Sequence, residues 1–219
     1  RFDKEEYDQA IDDFTAVIEL EPYDSDAFYF RGAALHNKGE YDRAIVEFDI
    51  AIKLSPGDAD AYTSRGESYA ASGAFDSAIA DYDKALALKP ENALIYELRG
   101  VVYGRDMGEE DRALADFDKA IELDPDSAGA FANRGLTYAS KGDYDRAIVD
   151  YDRAIKLAPN AYVFYNRGNA YGDKGDHETA IANFDESIAL NPDDPDVYYN
   201  RGNAYFLNRR LLLDQRRTE

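Results

Sequence analysis

Residues able to do acid–base, nucleophilic or metal chemistry are few in this chain, and their spacing assembles no reaction centre. There are two histidines, His36 and His177, and no cysteine, which excludes thiol catalysis, a disulfide scaffold and cysteine-ligated zinc. His36, on helix A near a turn, has no second histidine nearby and no acid in its unit that stands out as a partner. No G-x-x-x-x-G-K-[ST] phosphate loop, G-x-S-x-G elbow or H-E-x-x-H pair occurs. Asp124, Asp126 and Gly129 begin like a calcium loop, but Ala128 occupies a ligand position and Gly135 stands where the closing glutamate belongs. These acids, like Asp193, Asp194 and Asp196, fit helix caps better than ligands. The expectation is a protein that is not an enzyme, with no catalytic residue, cofactor or metal.

What does recur is an arginine before a glycine: Arg31-Gly32, Arg65-Gly66, Arg99-Gly100, Arg134-Gly135, Arg167-Gly168 and Arg201-Gly202. The glycines are 34, 34, 35, 33 and 34 residues apart, and Pro22, Pro56, Pro90, Pro125, Pro159 and Pro192 keep the same beat. With each glycine called position 8 of a unit, position 4 is Phe or Tyr throughout, from Phe28 to Tyr198, and position 11 is Tyr in all units but one, which has Leu35. Position 20 is always Ala, position 24 always Phe or Tyr, and position 27 is small in every full unit. Asp recurs at position 25, as Asp49, Asp83, Asp118, Asp152 and Asp185.

These spacings are helical. Positions 4, 8 and 11 share one face of a helix A, and positions 20, 24 and 27 one face of a helix B. Gly39, Gly73, Gly142 and Gly175 sit where a helix end needs a left-handed residue. Asp143 and Asp176 follow as N-caps, and the prolines end helix B. Glycine 8 is expected to face alanine 20 at the tightest contact, Gly66 against Ala78, with aromatics at 4, 11, 17 and 24 filling the space around it. The position-7 arginines are expected to reach a position-25 aspartate of their own or an adjacent unit. Position 25 shares a face with apolar neighbours, so its acid should be partly sheltered. His177 stands at position 17, a packing position occupied by Tyr41 and Tyr144 in sister units. One such hairpin cannot bury its face alone; stacked neighbours make a continuous core.

The 34-residue unit with G-x-x-Y, A-x-x-x-F and a late proline resembles the tetratricopeptide repeat, over nearly the whole chain. One departure is uniform: the leucine that precedes the glycine in that family is arginine here. The resemblance implies an all-α, right-handed superhelical solenoid of antiparallel helix–turn–helix repeats. Its units would be a half repeat at 1–24 (helix B), full repeats at 25–58, 59–92, 93–127, 128–160 and 161–194, and a partial repeat with a C-terminal helix at 195–219. Unit three carries one extra residue before Gly108, with Met107 expected to fill the place of a missing aromatic. Arg1 opens directly into helical pattern, as in a piece of a longer array.

The resemblance also implies that helix A lines a concave groove, with positions 2, 5, 6, 9, 12 and 13 facing it. On that alignment Asn133, Asn166, Asn169, Asn200 and Asn203 form an amide ladder able to hold the backbone of an extended peptide, since Asn both donates and accepts. Tyr29, Phe30, Tyr162, Tyr165 and Tyr199 offer aromatic contacts. A duplicated N-R-G triplet with no ligand is the plainer reading of the asparagines. Positions 2 and 5 hold no lysine, which argues against a clamp for C-terminal carboxylates.

The chain has 219 residues and a formal net charge of −20. That charge repels nucleic acid and anionic membrane and favours a basic or neutral protein or peptide. No apolar run is long enough to cross a bilayer. The expected function is a non-catalytic interaction scaffold binding an extended peptide. The alternatives are a structural array that self-associates through incomplete terminal repeats, or the regulatory region of a larger enzyme. The absence of cysteine leaves the compartment open, the cytoplasm being favoured. Beyond Gly202 no breaker appears, so the last helix should run to about Arg216. Its Tyr198–Tyr205–Leu212 stripe should pack on the preceding helix over its first half, and at least one of Leu211, Leu212 and Leu213 should be left exposed or buried against another molecule.

Overall fold

The computed structural model describes the backbone of residues 4–218 and the side chains of residues 6–210. Among them the chain forms helices and no strand: α1 (Lys4–Leu20), α2 (Ser25–Asn37), α3 (Tyr41–Leu54), α4 (Ala59–Ala71), α5 (Phe75–Leu88), α6 (Ala93–Val101), α7 (Glu110–Leu123), α8 (Ala128–Ser140), α9 (Tyr144–Leu157), α10 (Ala161–Asp173), α11 (His177–Leu190) and α12 (Pro195–Thr218). Two compact units divide within α7, one spanning 1–112 and the other 113–219. In the first, α2 packs on α3 and α4 on α5. In the second, α8 packs on α9 and α10 on α11, with α12 against α11. The architecture is the all-α solenoid of antiparallel helix pairs expected from the period.

The turns form as the residue types require. Gly39, Gly73, Gly142 and Gly175 have φ between 77° and 85°, and no described non-glycine residue has a positive φ. A cap bond closes each of these turns, such as Ala74 N donating to Tyr69 O at 2.8 Å. Asp143 and Asp176 accept from the backbone N–H of Arg146 and Thr179 at the starts of α9 and α11. The helices before Pro56 and Pro90 end at Leu54 and Leu88, ahead of the residue that proline restricts.

Unit three differs by the extra residue. Residues Val102–Asp106 form one π-helical turn continuing α6, with Met107 N donating to Val102 O at 3.1 Å. Widening the turn absorbs the insertion. Glu109 N then reaches Tyr103 O at 2.7 Å, closing over six residues what Ala74 and Tyr69 close over five. Met107 itself is half-buried.

Two packing expectations need correction. The glycine of helix A faces first the ring at position 24; the alanine at 20 comes second, as at Gly135, where a Cβ would lie 3.2 Å from the Ala147 carbonyl oxygen. A Cβ on Gly66 would lie 2.8 Å from Cε1 of Tyr82, and one on Gly168 2.7 Å from Cε1 of Phe184. A flat ring lying on the helix backbone needs that missing atom more than a small alanine does. The inward face of helix A is also wider than 4–8–11, at which Phe28, Leu35 and Tyr103 are buried and Phe131, Tyr138 and Tyr171 pack half-buried against the core. Positions 3 and 10 are buried in every unit, from Ala27 and Ala34 to Val197 and Ala204. On α12 the packed residues are therefore Val197 and Ala204, against Ala180, Ile181 and Phe184 of α11. Tyr198 and Tyr205 are exposed. Among the described residues no further helix covers these two rings, and positions 4 and 11 lie one step round the helix from 3 and 10. The helix itself continues to Thr218; the side chains of Leu211–Leu213 lie outside the described residues.

Candidate functional site

The recurrent arginine is an architectural clamp. Arg65 donates from Nε and Nη2 to both oxygens of Asp81 at 2.7 and 2.6 Å, and from Nη1 to Asp49 at 2.5 Å. Arg134 does the same with Asp150 and Asp118. Arg167 pairs with Asp152 and donates to Oδ1 of Asn183 at 2.7 Å. Arg31 reaches Glu47 and Thr15. Each of these four arginines thus holds position 23 of its own helix B and position 25 of the preceding one, and Arg99 and Arg201 hold position 25 through Asp83 and Asp185. The expected position-25 partner is present, but it is not the sheltered acid. The Asp49 and Asp118 side chains are 50% and 57% exposed, whereas Asp81 and Asp150 are 7% and 4% exposed. The sequence signal for position 23 was an acid or Asn two residues before each Asp, obscured by the more regular row beside it. The aromatics at 4 and 11 wall the guanidinium in: Arg65 lies 5.6 Å from the Tyr62 ring centre and 5.8 Å from that of Tyr69.

Asp194 caps α12 by accepting from Asp196 N. At the start of α8 the cap is Ser127, which accepts from Ala130 N, while Asp124 accepts from Asp126 N within the turn before it. His36 places Nδ1 2.9 Å from Ser68 Oγ and tilts against the Tyr41 ring; burial holds its pKa below the ordinary value.

In the second unit the structure brings four of the predicted groove residues together. Nδ2 of Asn200, on α12, donates to Tyr165 Oη at 2.8 Å and to Asn169 Oδ1 at 3.1 Å, both on α10. Val197 and Ala204, buried above and below on α12, fix the helix rotation that turns Asn200 this way. Asn169, Asn200 and Asn203 line an open cleft of about 370 Å³ with Asp173, His177, Phe184 and Leu207. His177 is half-buried, so besides packing it borders the cleft. Neither His177 nor Leu207 was named as a groove residue: Leu207 stands at position 13, a groove-facing place from which no residue was picked, and His177 at position 17 was read as packing.

The remaining candidates stand apart from this cluster. Asn166 turns back onto the Tyr162 carbonyl of its own helix. Tyr162 and Tyr199 are exposed, and Asn133 is half-buried on α8. Tyr29 and Phe30 belong to the first unit. There Phe30 stacks on Phe14, with ring centres 5.6 Å apart, and Tyr29 tilts against Phe48. Its hydroxyl is 3.4 Å from Ser64 Oγ.

Family models described as TPR repeat match residues 66–106, 104–142 and 168–208. Models described as tetratricopeptide repeat match 128–160 and 1–59. Among solved structures, YrrB, described as a TPR protein with an unusual peptide-binding site, is 26% identical with a TM-score of 0.67, over 86% of this chain and 97% of its own. MamA is 26% identical with a TM-score of 0.66, over 76% and 91%. A tetratricopeptide repeat protein from Parabacteroides merdae is 20% identical with a TM-score of 0.77, over 94% and 82%, a likeness of fold. No curated protein matches the sequence.

Proposed function

The chain belongs to the tetratricopeptide repeat family, and from that premise we propose that it is a non-catalytic protein-interaction scaffold whose helix A face holds an extended peptide segment of a partner. The observation that carries this reading is the Tyr165–Asn200–Asn169 network beside the cleft. Both N–H groups of the Asn200 amide are used internally, so its Oδ1 is left to accept. The Asn169 oxygen is used, so its Nδ2 is left to donate. An extended peptide presents N–H and C=O groups alternately, and such a pair engages them whatever the side chains are. Because the amides are already held, little side-chain entropy is lost on binding. Phe184, Ala204 and Leu207 supply apolar contact. The peptide-binding site described for YrrB supports the same use of the fold. The net charge of −20 favours a basic or neutral partner.

The test is selection of binders from a random decapeptide library on the purified protein, followed by affinity measurements with Asn169→Ala/Asn200→Ala. Two lost hydrogen bonds should weaken a selected peptide about tenfold, with the helical fold retained. Unchanged affinity would reduce the asparagines to a relic of duplication.

Exposed Tyr199, Tyr205 and Phe206 on α12 support a second reading, self-association. Light scattering across a hundredfold range of concentration separates the two: a constant monomer mass dismisses self-association.

A further inference from the structure

Helix α12 presents a repeat face that nothing among the described residues fills. The position-8 glycine is buried in the five sister units but exposed at Gly202. A Cβ on Gly32, Gly66, Gly135 or Gly168 would meet the position-24 ring of its own helix B at 2.7 to 2.9 Å, and one on Gly202 would meet nothing within 4 Å. Arg201 shows the same gap. Its Nη1 donates to Asp185, the position-25 arm, at 2.6 Å, and it has no position-23 partner among the described residues. Arg209 stands where Gly73 and Gly142 turn the chain, and α12 runs straight through that place to Thr218. The described chain therefore lays no helix B of its own on this face.

Helix α1 carries the opposite gap. By the repeat alignment it is a helix B, with Ala10, Asp13, Phe14 and Val17 at positions 20, 23, 24 and 27. In the full units the residues at 20, 24 and 27 are 0–2% exposed. In α1, Ala10, Phe14 and Val17 are only half-buried, although Phe14 stacks on Phe30 and Thr15 accepts from Arg31 on the α2 side. Asp13 is exposed and has no cation among the described residues. Its counterparts Glu47, Asp81 and Asp150 each hold an arginine of helix A.

The two gaps match position by position. Phe14 is the ring that Gly202 lacks, and Asp13 is the acid that Arg201 lacks. Charge matches as well: residues 1–24 hold nine acids against two bases, and residues 195–219 hold five bases against three acids, in a chain of net charge −20. Antiparallel pairing also sets exposed Arg209 and Arg210 beside the first turns of α1, where Glu6 is exposed.

We propose that α1 of a second copy of this chain seats on α12 as its helix B, joining the molecules head to tail. Phe14 of the second copy lies flat on the Gly202 backbone, and its Asp13 accepts from Nε and Nη2 of Arg201 as Asp81 does from Arg65. The contact repeats the one that α2 makes with α3, and α8 with α9, inside the chain. Because the two faces differ, the contact is heterologous, and each molecule brings one of each. The proposal rests on the self-association reading and names the faces that meet.

The experiment is light scattering of the full chain over the same range of concentration, with two variants. Asp13→Arg sets like charges face to face, and Gly202→Gln fills the seat of the ring. Both positions are exposed, and Gln favours a helix over Gly, so each variant keeps its fold, as thermal melting checks. The wild type should gain mass with concentration, and each variant alone should associate about a hundredfold more weakly. Mixed in equal amounts, the variants should form a dimer of one of each, because Asp13→Arg keeps an intact α12 and Gly202→Gln an intact α1. Variants that associate as the wild type does, or a mixture that stays monomeric, overturn the pairing of these faces and leave self-association standing. A wild type that is monomeric throughout leaves the α12 face to a different protein and overturns both.

Discussion

Arg65 grips Asp81 with two parallel hydrogen bonds and touches Asp49 with one, so a single guanidinium joins helix B of its own pair to helix B of the pair before. The two arms differ in burial, and their energies follow from that. Asp81 is nearly enclosed, and the hydrogen bond it accepts is the foremost cause raising the Arg65 guanidinium above its ordinary range. Asp81→Ala leaves a charge facing an empty sheltered site and should cost about 3 kcal/mol of unfolding free energy. Asp49→Ala removes an exposed partner and should cost about 0–1 kcal/mol. Urea unfolding of the two variants checks the difference; equal losses would refute it. Asp81→Asn should fall between them, because Asn183 fills the same place opposite Arg167.

Tyr151 carries a buried hydroxyl with no hydrogen-bond partner among the described residues. Phe48, Phe117 and Phe184 occupy the same position in sister units without one. Tyr151→Phe should therefore raise stability, by about 1 kcal/mol, the low end of the cost of an unmet buried polar group. A lower melting temperature for this variant would show that the hydroxyl has a partner such as an ordered water.

His36 links stability to pH. Burial lowers its pKa from the ordinary 6.5 in the folded chain, so the unfolded chain takes up a proton first. Its contribution to stability is full above about pH 6.5 and is lost as pH falls from there toward the lower folded value. Denaturant unfolding at pH 7.5 and 5.5 should show a drop that His36→Gln reduces. An equal drop in the variant would assign the dependence to other groups.

The fold was legible because its period is written three times over, in glycine, proline and aromatic residues, each serving a separate physical need. Gly73 turns a helix end, Pro90 stops a helix, and Tyr82 fills a core. Which faces meet was less legible. Aromatic residues at positions 4 and 11 draw the eye as core, yet the row buried in every unit is the one at 3 and 10, which holds no aromatic residue because helices in close contact exclude the largest side chains between their axes. Asp81 was hidden for a different reason. Acids occur at both 23 and 25, and only the rotation of helix B decides which is covered. In the candidate site, alignment within the repeat was enough to place Asn169, Asn200 and Asn203 on one surface. It could not show that Asn166 turns onto the Tyr162 carbonyl instead, since that depends on a rotamer.

The widened turn at Val102–Asp106 bears on how such a chain can come to exist. An array of this kind lengthens by copying itself, and copies accumulate errors of length. In an ordinary helix one surplus residue would rotate everything after it by about 100° and bring charged residues to the inside. Here the surplus is taken up between Tyr103 and Glu109, and Gly108 keeps the left-handed backbone of Gly73 and Gly142. The next interval in the sequence is one residue shorter, and the 34-residue beat resumes. A surplus residue is thereby confined to one turn of one helix, and the pattern of the other copies is left intact.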